Sequence, residues 1–156
     1  MDGSLSTAEA VYRFVKETET IKRGSLRALV FGLCTSAGDC TRYAMRGDLM
    51  RLQWALLEVL WYACGIAKGD AAYAAACSLA VIHTIPCGSL DSVVLRLFRV
   101  VSQVAEVYRW FDSTGNNPLR WDELPEVVAL AVLALDLTGV DVPQFLTGEK
   151  KRATPN

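Results

Sequence analysis

The sequence predicts an all-α protein, a helical bundle of about six helices. Apolar side chains recur every three or four residues over most of the chain, which is the period of a helix with one buried face. The breaks between these stretches are short and rich in Gly, Pro, Asp or Ser, and no stretch has the alternating pattern of a β-strand. A similar order of apolar and acidic positions also occurs in both halves of the chain, which indicates two related helical hairpins.

The first half predicts four helices. Gly47 and Asp48 are expected to form the turn between the second and third helices. The third helix is apolar nearly all round, so we expect it at the centre of the bundle. The fourth is rich in alanine. The approximate bounds are from Ser6 or Thr7 to Gly24, 25–46, 49–68 and 70–84.

The second half follows the clearest break, at Pro86, Gly88 and Ser89, and predicts two long helices. Pro125 fits the first turn of the later helix, because proline tolerates that position. A short last segment begins near Asp141. We expect one domain over 1–156, with repeat one at about 8–85, repeat two at about 89–150, a junction at 86–89, and long helices at about 91–112 and 125–139.

Composition excludes several classes of protein. The formal net charge of −1 lacks the basic character of a nucleic-acid-binding domain. The longest apolar stretch, Ala71 to Ile82, is too short to span a membrane, and the start of the chain lacks a secretory signal. The five cysteines are odd in number and include no C-x-x-C pair, so we expect reduced thiols and a cytoplasmic or other reducing compartment.

Acidic residues three apart lie on one face of a helix, and two such helices can enclose Mg²⁺ with carboxylate oxygens. The first half offers GLCTSAGD, ending at Asp39, and WALLEVLWY, which contains Glu58. The second half offers QVAEVYRW, DELPE and GVDVPQ, which begin at Gln103, Asp122 and Gly139. Over about residues 26–146 these segments resemble the MazG-like all-α nucleoside triphosphate pyrophosphohydrolases, which include the dCTP pyrophosphatases.

The resemblance implies hydrolysis of a nucleoside triphosphate to monophosphate and pyrophosphate with Mg²⁺. It also implies four metal-binding positions in each half, and only half of these are acidic here. The positions fall on Ser36, Asp39, Ala55 and Glu58, and on Val100, Gln103, Glu123 and Glu126. A register shifted by three would add Glu106. The metal candidates are therefore Asp39, Glu58, Glu106, Glu123 and Glu126. The alternative is that these acids are solvated or capping residues on helix surfaces.

Arginines and tryptophans near these segments suggest contacts to a nucleotide. Arg42, Arg46 and Arg109 could meet phosphates, and Trp110 and Trp121 could stack on a base. The alternative for the arginines is a solvated helix face. The only histidine, His83, has no neighbouring pattern that indicates a catalytic base.

We therefore predict a MazG-like pyrophosphohydrolase homologue with a degenerate metal site. Whether it is an enzyme stays open, and weakened or lost catalysis is favoured because half of the metal ligands are missing. Mg²⁺ is the expected cofactor if it is active. The alternative is a non-catalytic helical scaffold or a subunit of a larger assembly. The expected partners are a nucleoside triphosphate, further copies of the chain or another protein.

Overall fold

The computed structural model describes residues 7–18, 24–67, 89–114 and 122–153. Within these ranges the chain forms six helices and no β-strand, which confirms the predicted all-α bundle. The alanine-rich helix predicted for 70–84 and Trp121 lie outside the described residues. The helices are α1 (Thr7–Thr18), α2 (Leu26–Arg46), α3 (Leu49–Ala67), α4 (Leu90–Thr114), α5 (Leu124–Leu137) and α6 (Val142–Ala153).

Local sequence explains where the α2–α3 hairpin begins and turns. The Ser25 hydroxyl accepts a hydrogen bond from the Ala28 backbone N–H at 3.1 Å, and such a cap stabilises a helix by about 1 kcal/mol. Gly47 ends α2 in the left-handed conformation, with φ of 70°, which glycine adopts without a steric penalty. The predicted turn is therefore confirmed, and α3 runs back along α2.

Four helices form the body of the protein. The helix α2 packs against α3 and α4. The helix α5 also packs against α3 and α4, so α2 and α5 lie diagonally opposite each other. The N-terminal part of α2 faces the C-terminal part of α4, so these two helices are antiparallel. Each predicted hairpin, α2–α3 and α4–α5, thus lies beside the other, with first helix against first and second against second. Their origin from one duplicated hairpin stays a prediction.

The helices α3 and α5 provide most of the core, as their apolar sequences predict. Every residue of α5 from Val127 to Leu135 is buried. In α3, Leu52, Leu56 and Leu60 are fully buried. Burial of a leucine or valine side chain contributes about 1.5–3 kcal/mol. In α5 this contribution outweighs the weak helix propensity of the valines.

The remaining helices pack outside this body. The helix α1 packs mainly against α6 and touches α3, and its buried side chains include Ala10, Val11 and Phe14. Pro125 lies in the first turn of α5, as predicted. None of the helices in the described ranges combines the length and hydropathy needed to cross a bilayer.

Candidate functional site

The candidate site is the face where α2 meets α3. Residues 36 and 39 lie three apart on α2, and 55 and 58 lie three apart on α3, so each pair shares a face of its helix. The resemblance expects four acids at these positions. Here the α2 face carries Ser36 and Asp39, and the α3 face carries Ala55 and Glu58.

Ser36 bridges the two helices at the centre of this face. Its Oγ lies 3.2 Å from Oε2 of Glu58 and 2.9 Å from the carbonyl oxygen of Gly32. A serine hydroxyl has one proton to donate, so the carboxylate and the carbonyl compete for it. Ser36 is 1% exposed. Among the residues whose side chains the structure describes, it is the one buried polar residue. The hydroxyl therefore occupies the place where the family resemblance expects a metal-binding carboxylate.

The other two positions are also unlike an open metal site. Oδ1 of Asp39 accepts a hydrogen bond from Nη2 of Arg42 at 3.0 Å, one turn along the same helix. Ala55 is 4% exposed and packs into the core. The face thus keeps two carboxylates, of which one is paired with a cation and the other accepts from Ser36.

Cys40 directly follows Asp39 on α2, and its thiol is within electrostatic reach of Glu58 on α3. It is four residues after Ser36, one turn further on the same side of α2, and is fully buried. Burial, followed by the negative charges of Asp39 and Glu58, raises the pKa of the Cys40 thiol to about 12. The two carboxylates therefore share one electrostatic neighbourhood, and the thiol in it stays protonated and unreactive.

Two acids of the second half, Glu106 on α4 and Glu126 on α5, each pair with a different arginine. Oε1 of Glu126 accepts hydrogen bonds from Nε and Nη2 of Arg96, at 3.0 and 2.7 Å. Glu106 is exposed and pairs with Arg109 at 3.4 Å within α4. These contacts give both acids structural partners on the surface of the helices.

The remaining metal-binding positions expected in the second half are Glu123, Val100 and Gln103. Glu123 is the first residue before α5 and has helical backbone angles, so Pro125 does not disturb its spacing from Glu126. Oε2 of Glu123 is enclosed and has no hydrogen-bond partner among the described residues. The two positions on α4 are Val100, which is buried, and Gln103, which is exposed. Neither side chain is a carboxylate. In the part of the chain that the structure describes, no three His, Cys, Asp or Glu side chains form a group able to hold a metal ion.

The candidate nucleotide-binding residues do not converge. Arg42 lines a cavity at the C-terminal end of α2, whereas Arg109 lines another at the N-terminal end of that helix. Arg46 is exposed in the last turn of α2. Trp110 is 56% exposed near the end of α4. These side chains therefore form two groups at opposite ends of the α2–α4 pair, Arg42 with Arg46 and Arg109 with Trp110.

The chain matches no protein-family model, no curated protein and no solved structure.

Proposed function

We propose that this chain is a MazG-like helical bundle that has lost metal-dependent pyrophosphohydrolysis and acts as a non-catalytic helical subunit. One observation supports this most directly. Buried Ser36 stands at a position where the resemblance expects a metal-binding acid, and its hydroxyl is hydrogen-bonded to Glu58. Glu58, an exposed residue, is thus hydrogen-bonded to a neutral side chain at the place where the metal-binding pattern would have a second acid.

The ligand count supports the same proposal. Mg²⁺ requires near-ideal octahedral oxygen coordination and gives up its water reluctantly, so it depends on carboxylates placed close together. The α2–α3 face supplies only Asp39 and Glu58, and Arg42 already offsets the charge of Asp39. Loss of residues that merely orient metal ligands lowers metal affinity or activity about 10–100-fold, and loss of two direct ligands should lower it further.

A second candidate function is weak hydrolysis of a nucleoside triphosphate. The observation that favours it is geometric: Glu58 accepts a hydrogen bond from Ser36, and Asp39 lies three residues after Ser36 on α2. In this reading the two carboxylates would hold one Mg²⁺, and a triphosphate would supply its remaining ligands through phosphate oxygens. Glu123 and Glu126, with Glu106, would be the alternative site in the second half.

Titration calorimetry with Mg²⁺ or Mn²⁺ and a non-hydrolysable nucleoside triphosphate tests the proposal. We expect no saturable binding at millimolar metal and no pyrophosphate release from any of the common triphosphates. Saturable binding accompanied by turnover would instead establish the second candidate. Glu58→Gln and Glu126→Gln, made separately, would then identify the half that carries the activity, because each variant removes one carboxylate and keeps the side-chain size.

A further inference from the structure

A cavity of about 500 Å³ lies between the N-terminal half of α2 and the C-terminal half of α4. Its volume is within the range of about 300–1,000 Å³ that is usual for sites of small molecules. The lining residues include Arg27, Phe31 and Cys34 of α2, and Ala105, Tyr108 and Arg109 of α4. We refer to it below as the Arg27–Arg109 cavity.

The charge of the Arg27–Arg109 cavity is positive. In the part of the chain that the structure describes, its charged lining residues are one arginine on each wall. Arg27 forms no ion pair with a described carboxylate. Arg109 pairs with Glu106 at 3.4 Å, but these side chains are 79% and 70% exposed, and such surface pairs are weak. Both guanidinium groups are therefore available to an anion.

An aromatic ring accompanies each arginine of the cavity. The guanidinium carbon of Arg27 lies 4.8 Å from the centroid of the Phe31 ring, which is a cation–π distance. Tyr108 directly precedes Arg109 on α4 and is half-buried. Burial raises the pKa of the Cys34 thiol above its ordinary value, so this part of the wall is neutral at neutral pH. The cavity thus combines two cations with aromatic and neutral walls.

We propose that the Arg27–Arg109 cavity binds an aromatic monocarboxylate, whose carboxylate contacts the two arginines and whose ring contacts Phe31 and Tyr108. A planar guanidinium donates paired hydrogen bonds to a carboxylate, and a flat ring packs well against aromatic side chains. A nucleotide would fit this cavity less well. Its sugar and base need several polar partners, whereas the lining offers few polar groups besides the arginines, chiefly the hydroxyl of Tyr108.

The cavity is separate from the candidate metal-binding face. Cys34 and Ser36 are two residues apart, which turns the side chain by about 200° around a helix of 3.6 residues per turn. Ser36 contacts Glu58 on α3, whereas Cys34 lines the cavity together with residues of α4. Binding of a carboxylate here goes beyond the proposed function and requires no metal ion.

Titration calorimetry of the full chain with 2-naphthoate, in buffer without divalent metal, tests the proposal. We expect saturable binding of one ligand per chain. The uncharged 2-naphthamide has the same ring system and should bind at least roughly tenfold more weakly, because it cannot form charge-assisted hydrogen bonds. Adenosine monophosphate should not displace 2-naphthoate at equal concentration.

Substitution of the arginines tests the location. Arg27→Gln and Arg109→Gln should each weaken binding of 2-naphthoate roughly tenfold, because each removes one charged donor. Arg42→Gln is the matched control, since Arg42 is also an exposed arginine of α2 but lines the cavity at the other end of that helix. This variant should keep the wild-type affinity. Circular dichroism checks that all three variants retain the helical fold.

Cys34 provides a second readout inside the cavity. Its alkylation by N-ethylmaleimide, followed by peptide mass spectrometry, should slow roughly tenfold when 2-naphthoate is present at ten times its dissociation constant, because few cavities are then empty. The same concentration of 2-naphthamide should protect Cys34 much less. The buried Cys40 serves as an internal reference whose rate should not depend on the ligand.

Four results would overturn the proposal. Absence of binding at millimolar 2-naphthoate would exclude the ligand class, and equal affinity for 2-naphthamide would exclude recognition of the anion. Displacement by adenosine monophosphate would indicate a nucleotide site instead. Unchanged affinity in both Arg27→Gln and Arg109→Gln, or a loss in Arg42→Gln, would place the ligand elsewhere.

Discussion

The ring of Tyr62 on α3 occupies the space beside Gly32 on α2. A Cβ added to Gly32 would lie 2.3 Å from Cε1 of Tyr62 and 2.5 Å from Cζ, which is closer than real Cβ contacts. Tyr62 also meets Trp61 edge-on, with ring centroids 5.0 Å apart. The absence of a side chain at Gly32 thus allows α2 and α3 to approach each other one turn before Ser36.

Gly32→Ala is therefore expected to destabilise the protein. Alanine favours a helix over glycine by about 1 kcal/mol, but displacement of a packed ring typically costs about 1–3 kcal/mol or more. Gly38→Ala is the matched control on the same helix, since nothing lies within 4 Å of its added Cβ. Chemical denaturation should give a lower free energy of unfolding for Gly32→Ala and an equal or higher one for Gly38→Ala. Equal stability of the two variants would contradict the close approach.

Restoring one acid tests the interpretation of the α2–α3 face. Ser36→Glu would place a third carboxylate beside Asp39 and Glu58, where like-charge repulsion and burial should lower the thermal midpoint. Mg²⁺ should then raise that midpoint, because a ligand that binds only the folded state stabilises it. Ser36→Gln, equal in size and uncharged, is the control. Neither this control nor the wild type should respond to Mg²⁺ beyond the effect of ionic strength.

Cys40 should make stability depend on pH in the alkaline range. Its thiol pKa is raised from 9.0 to about 12, so the unfolded chain loses this proton first as the pH rises. Stability is then fully present below pH 9 and falls between pH 9 and 12, by about 1.4 kcal/mol per pH unit. Denaturation of the wild type and of Cys40→Ala at pH 8 and pH 10 isolates this contribution. The loss of stability between the two pH values should be smaller in the variant.

The same raised pKa predicts slow chemical modification. Iodoacetamide reacts with thiolates, so Cys40 in the folded protein at pH 8 should be alkylated far more slowly than in the denatured chain. Peptide mass spectrometry separates Cys40 from the other cysteines. Rapid alkylation of Cys40 under native conditions would show that the site around it is open.

The pair Arg96–Glu126 joins α4 to α5 and should contribute modestly. The arginine side chain is 54% exposed and the carboxylate 37%, so solvent screens the pair. A double-mutant cycle with Arg96→Ala and Glu126→Ala should give a coupling free energy below about 1 kcal/mol, and less at high salt. A much larger coupling would indicate that Glu126 is held in a drier, more organised site than its exposure suggests.

The helices and their buried faces follow from the sequence because helical periodicity is a local property. The α2–α3 turn at Gly47 and the central place of α3 are both confirmed. The identity of each residue also fixes how many carboxylates each half of the chain holds. Side-chain contacts between helices are different, because they depend on the packing distance and the relative register of two separate segments.

Only the tertiary structure decided which groups meet. The sequence alone states that Ser36 replaces an expected acid, but the packing of α3 on α2 aligns its hydroxyl with Glu58, 22 residues away. In the same way, α4 lies antiparallel to α2, so Arg42 and Arg109, two predicted phosphate contacts, lie at opposite ends of the pair. Helix packing also forms the groove between α2 and α4, because its walls come from two segments more than 40 residues apart. Residue types set the chemistry available to this protein, and the register between its helices determines which of those residues act together.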